Sequence, residues 1–312
     1  MMNPNKLFCA AAATAAMVGS STTFADPTPT PISNVACLRK MALDLTNSAP
    51  SPEDLADLAS GTPLSTFADK YLASPAFAQV VFDVYRAAFP PTAKVPDGAD
   101  KEEPARIARH LVVNDLDYRD MVVGNYTVDA SGNTVPAKGV AAGILTTQTY
   151  MSAYTGIEFR NWSGQVLKGL AGIFLTPVSE IPPGIDATRG GLASNPACAG
   201  CHTDPLHGVD NVASFHDCYD EKGLPIATCT PGTTMFLGKS GSTITDLGQI
   251  LAESVEWRAQ AIQNFHRIFW GRAIGKNETS LYRKEEKAFM DAGFKPHALI
   301  KHTVLSPEYC AR

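Results

Sequence analysis

Two cysteines and a histidine stand together in the segment Cys198-Ala199-Gly200-Cys201-His202. At this spacing both thiols fall within about one helical turn, where each can add to one vinyl group of a haem. The imidazole that follows is then carried under the iron as its proximal ligand. This is the attachment motif of c-type haem. It constrains the fold more than any other feature, because these three side chains have to meet one flat cofactor. Half a zinc site and a thioredoxin-like redox pair also use Cys-x-x-Cys. Zinc needs a second Cys/His pair at knuckle spacing, a form that the later Cys218 and Cys229 lack. A single motif predicts a single covalent haem c, held by Cys198 and Cys201 with His202 as proximal axial ligand.

The N-terminus agrees with that chemistry, since bacterial haem attachment takes place outside the cytoplasm. Lys6 provides a basic start, Leu7 to Val18 is a short apolar run, and Thr23-Phe24-Ala25 precedes Asp26 as a cleavage site. Residues 1–25 therefore read as a signal peptide cleaved near Ala25, with a periplasmic or secreted destination. Cys9 leaves with it. Of the six remaining cysteines the haem takes two, and an even remainder in an oxidising compartment predicts two disulfides. The simplest pairing is Cys218–Cys229, around a loop with Gly223 and Pro225, and Cys37–Cys310; three connectivities are open in all. No later stretch approaches the length of a membrane span. With 26 Lys and Arg against 31 Asp and Glu and no basic block, nucleic acid and anionic membrane are poor partners.

Apolar spacing is helical over most of the chain, which predicts an all-α fold with irregular loops. After a Pro/Thr linker at 26–31, an N-terminal bundle spans 32–120. Its helices begin near Ser33, at Ser51-Pro52, at Leu64 and at Pro75, followed by one over Pro104 to Asp117. Residues 121–195 form a connecting region of loops, short extended pieces with a turn at Gly132-Asn133, and a partly helical stretch to Thr176. Ile181, Ile185 and Leu192 are expected to wrap a haem edge. The haem segment covers 196–245, with a short helix over Asp210 to Tyr219 and then a looped stretch. A C-terminal helical region closes the chain at 246–312, its first helix running unbroken from Thr245 to Gly271 and two more over Ser280 to Ala292 and Pro296 to Leu305. FADKYLASPAF at Phe67–Phe77 and LIKHTVLSPEY at Leu299–Tyr309 form a faint internal echo.

Several stretches, in order, carry a family resemblance: LRKMALDLTNSAPSPEDLADL with DKYLASPAF, DYRDMVVGNYTV, AAGILTTQTYM, CAGCHTDPLHGVDNVASFHD, and NFHRIFWGRAIG with ALIKHTVLSPEY. Together they resemble the large exported c-type haem proteins of planctomycetes and myxobacteria, built from uncharacterised domains around one Cys-x-x-Cys-His. After the motif the chain has Thr203-Asp204-Pro205-Leu206-His207-Gly208, where a longer spacer is usual, and it is shorter than typical members. The resemblance implies a haem protein without supplying a reaction.

Function then depends on the sixth iron ligand, because a filled position gives an electron carrier and an open one permits ligand or peroxide chemistry. Met235, in Pro231-Gly232-Thr233-Thr234-Met235-Phe236, resembles the loop methionine of class I cytochromes c and is the expected distal ligand. Met151 is its rival, with His216 and His266 as further candidates. His207 follows the proximal ligand too closely to cross the haem. Serine and cysteine contexts show no nucleophile elbow or hydrolase signature. The sequence thus predicts an exported monohaem electron-transfer protein with a larger redox protein partner. The alternatives are a peroxidase- or oxygenase-like haem enzyme and a haem-stabilised structural or sensing protein.

Overall fold

A computed structural model describes residues 33–89, 95–137, 139–154, 157–175 and 186–311. The signal peptide, the linker, Ile181 and Ile185 lie outside the described residues. Helix starts follow the capping chemistry of the sequence. Ser33 accepts from the Ala36 amide to begin α1 (Asn34–Thr46). Ser51 and Asp54 form a reciprocal capping box on α2 (Pro52–Ala59). After α3 (Leu64–Leu72), Ser74 accepts from the Phe77 amide at 3.1 Å to start α4 (Pro75–Ala88). The next helix, α5 (Glu103–Val113), stops short of Asp117 because Asp115 takes a positive φ and the Leu116 amide bonds back to Leu111.

The middle of the chain holds α6 (Asp120–Val123), a hairpin of β1 (Tyr126–Val128) with β2 (Thr134–Pro136), α7 (Gln148–Ala153) and α8 (Arg160–Gln165). A π-helical turn, Val166–Leu170, extends α8. Three short helices follow: α9 (Arg189–Ser194), α10 (Pro196–His202) and α11 (Val209–Ser214). The chain closes with β3 (Thr234–Phe236), β4 (Lys239–Gly241), α12 (Ile244–Glu253), α13 (Val255–Trp270), α14 (Thr279–Asp291) and α15 (Pro296–Val304). At 58% helix and 5% strand, in two small antiparallel hairpins, the fold is mostly helical as expected.

Other elements also differ from the expectation. The short helix expected over Asp210 to Tyr219 is α11, which ends at Ser214 and passes into turns. The helix expected over Thr245 to Gly271 is two, broken at Ser254, whose backbone is extended. Its hydroxyl accepts from the Trp257 amide at 3.0 Å and donates to the Leu251 carbonyl at 2.8 Å, so one side chain ends α12 and begins α13. The looped stretch after the haem motif contains the β3–β4 hairpin, turned by Leu237 and Gly238, both at positive φ.

One continuous apolar core runs from Cys37 to Tyr309. Helix α1 packs on α3, α4 and α13, while α15 packs on α3, α5, α13 and α14, so first and last helices share this core. Cys37 and Cys310 are disulfide-bonded with Cα atoms 5.0 Å apart, and the buried Tyr309 donates its hydroxyl to Asp44 at 2.6 Å. Cys218 and Cys229 form the second expected disulfide. The internal echo has a physical counterpart. Phe67, Ala68, Tyr71 and Leu72 on α3 are buried, as are Leu299, Ile300, Thr303 and Val304 at the matching positions of α15. Ser74 and Ser306 each accept from the amide three residues on, that of Phe77 or of Tyr309.

Candidate functional site

Asn195 ends α9 and starts α10, its side chain accepting from the Ala197 amide at 2.9 Å with Pro196 in the first turn. The helix so begun carries Cys198, half-buried, and Cys201, exposed; both are free thiols. None of the seven residues of α10 is buried. His202 closes the helix and the chain turns at once into a tight loop. Asp204 builds that loop by accepting from the amides of Leu206 and His207, at 2.8 and 3.1 Å, and also pairs with the His207 ring. A side chain at Gly208 would collide with the carbonyl oxygens of His202 and Asp204, so this approach needs glycine. Asn211, on α11, donates to the carbonyls of Thr203 and Asp204 at 3.2 and 2.9 Å.

The loop brings α11 back under the motif and sets Asp210 against His202, with Nδ1 and Oδ2 3.0 Å apart. A carboxylate here only accepts, so Nδ1 carries a proton and Nε2 is the ring nitrogen left without this partner. Asp210 is 5% exposed and is held in turn by Arg160, whose Nε lies 2.6 Å from Oδ1. Arg160 also donates to the Ala187 carbonyl at 2.8 Å and pairs with Glu158 at 3.2 Å. Arg189 binds the same strip, through Glu158 and through Asp217 at 2.7 Å. Segments before and after the motif are thus tied together by charged hydrogen bonds. Sequence alone does not single out Asp210 or Arg160. They are separated by 50 positions, and Asp210 follows His202 by 8, a spacing with no local signature.

The candidate sixth ligands stand in different settings. Met235 is on strand β3, not in an open loop as expected, because the tight Leu237-Gly238 turn pairs it with Ser240. It is 40% exposed, on the strand face opposite Phe236, which is buried, and Thr234, which donates to the Asn211 carbonyl at 3.0 Å. The hairpin is also tied to the motif loop, through amides of Leu237 and Gly238 to carbonyls of Leu206 and Pro205. Met151 lies within helix α7, not in an irregular segment, and is fully buried. His216 is buried among Phe159, Trp162 and Tyr219, its ring stacked on Phe159 at 4.0 Å, and burial pushes its imidazole down to about 4. His266 is buried beside Trp270 and 3.6 Å from the buried carboxylate of Glu285. Leu192, expected at a haem edge, is buried on α9.

Among the described residues no three His, Cys, Asp or Glu side chains gather as a metal ion would require. Nor, among them, is any helix long and apolar enough to cross a membrane. Comparison of the chain with family models, curated proteins and solved structures finds no match.

Proposed function

We propose that the chain is an exported c-type haem protein, one haem per chain, that passes single electrons to and from a larger redox protein. The observation that carries this reading is the His202–Asp210 hydrogen bond beside two unpaired thiols on one short helix. It fixes the imidazole tautomer that a haem iron needs and leaves Nε2 free. Zinc would need the thiols and the imidazole to converge with a further ligand, and no such cluster is present among the described residues. A bound haem supplies a reversible one-electron couple. Cys198 and Cys201 would hold it by thioether bonds, and Asp204, Gly208 and Asn211 keep the His202 turn rigid. The unburied α10 leaves a helix face open to a flat apolar group. Two disulfides suit an oxidising compartment, in keeping with the resemblance to exported haem proteins.

Of the two methionines, Met235 is the one with an exposed side chain, and its hairpin is anchored to the loop that follows His202. It is the proposed distal ligand. Protein matured in a c-haem-competent host is expected to give one haem per chain by pyridine haemochrome and intact mass. Cys198→Ala with Cys201→Ala removes covalent retention, and Met235→Ala removes the near-infrared methionine–iron band. An unmodified mass for the mature chain overturns the reading. A haem enzyme is the second reading, favoured by the carboxylate on the proximal histidine, which suits oxidised iron. Carbon monoxide binding to the reduced wild-type protein, with no effect of Met235→Ala, selects it.

A further inference from the structure

We propose that Asp210 and Arg160 are an opposed pair of positioning residues that set how strongly His202 donates to the iron, Asp210 raising that strength and Arg160 restraining it. The inference rests on His202 being the proximal ligand. A carboxylate accepting the Nδ1 proton draws it away from the ring and makes Nε2 a more basic ligand, which favours ferric over ferrous iron. Solvent screens this little, because the Asp210 side chain is 6% exposed and that of Arg160 is 12% exposed. Arg160 bonds Asp210 at 2.6 Å and takes part of the negative charge that would otherwise bear on the histidine. It is not free to swing away, because Ala187 and Glu158 hold the rest of its guanidinium. An exposed ion pair would be worth little here; this one is enclosed and ends on a single ring nitrogen.

A pair that merely stapled α8 to α11 would loosen the haem in the same way whichever partner was changed. A tuning pair moves the potential in opposite directions. The test is redox titration of haem-loaded wild type, Asp210→Asn, Arg160→Gln and Arg160→Lys, after covalent haem has been verified in each by pyridine haemochrome. Asp210→Asn keeps a hydrogen-bond acceptor and removes the charge. It is expected to shift the ferric-to-ferrous balance about tenfold toward ferrous, a rise of about 59 mV for one electron. Arg160→Gln is expected to shift it severalfold toward ferric, and Arg160→Lys to stay near wild type. Shifts of the same sign in Asp210→Asn and Arg160→Gln, or changes below twofold in both, overturn the tuning role while haem is present. Wild type without covalent haem overturns the functional reading and this proposal with it. If Asp210→Asn yields no haem-loaded protein, Arg160→Gln decides alone, a fall in potential supporting the pair and an unchanged potential refuting it.

Discussion

At the scale of single residues, His216 shows how a packed ring becomes an acid sensitivity. Enclosure by Phe159, Trp162 and Tyr219 pushes its imidazole from an ordinary 6.5 to about 4, while the unfolded chain keeps the ordinary value. On acidification the unfolded state therefore takes up a proton that the folded state refuses. The stability tied to His216 is complete above about pH 6.5 and is lost as the pH falls toward about 4, by roughly 3 kcal/mol over the window. His216→Phe is expected to reduce that loss, measured as the difference between urea unfolding at pH 7.5 and pH 5. Equal differences in wild type and variant would refute it. The proposed motif of Cys198, Cys201 and His202 is visible in the sequence because its spacing is local. Asp210 and Arg160 are not, since their partnership exists only once the Asp204 turn and α8 have folded, and alone each reads as an ordinary surface charge.

At the scale of elements, capping chemistry decides which helix boundaries are visible in the sequence. Ser51-Pro52 and Ser74-Pro75 announce helix starts within a few residues, and α2 and α4 begin there. Ser254 does the same work without a proline, and the apolar period of Leu247, Ile250 and Leu251 runs past it to Val255, so pattern alone bridges the break. Removing the cap tests which signal rules. Ser254→Ala is expected to cost about 1–2 kcal/mol, seen as a lower urea midpoint with an unchanged slope. No change in midpoint would mean that α12 and α13 are held by packing alone. The β3–β4 hairpin escaped notice because Leu-Gly is not a usual sequence for a turn with two positive φ angles, and its strands are three residues each. The consequence bears on the proposed site, since that hairpin carries Met235, the proposed distal ligand.

At the scale of the whole molecule, the Cys37–Cys310 disulfide closes a loop of 273 positions. In the chain-entropy account such a closure stabilises the folded state by about 6 kcal/mol. Cys37→Ser with Cys310→Ser is expected to lower the guanidinium midpoint while Cys218→Ser with Cys229→Ser, which opens an 11-position loop, lowers it less. The reverse order would show that loop closure does not set the relative worth of the two bonds. The same bond also imposes a timetable. Under the proposed reading, a chain threaded outward from its N-terminus presents Cys37 first and Cys310 last, and Cys198 and Cys201 appear in between as the thiols proposed to take haem. Until the final residues emerge, Cys37 has no correct partner and four wrong ones, Cys198, Cys201, Cys218 and Cys229. Under that reading maturation becomes a race between an oxidant that would trap Cys37 on Cys198 or Cys201 and a reductant that keeps them open. Cells lacking a disulfide isomerase should accumulate chains crosslinked from Cys37 to Cys198 or Cys201, visible by peptide mapping and devoid of haem.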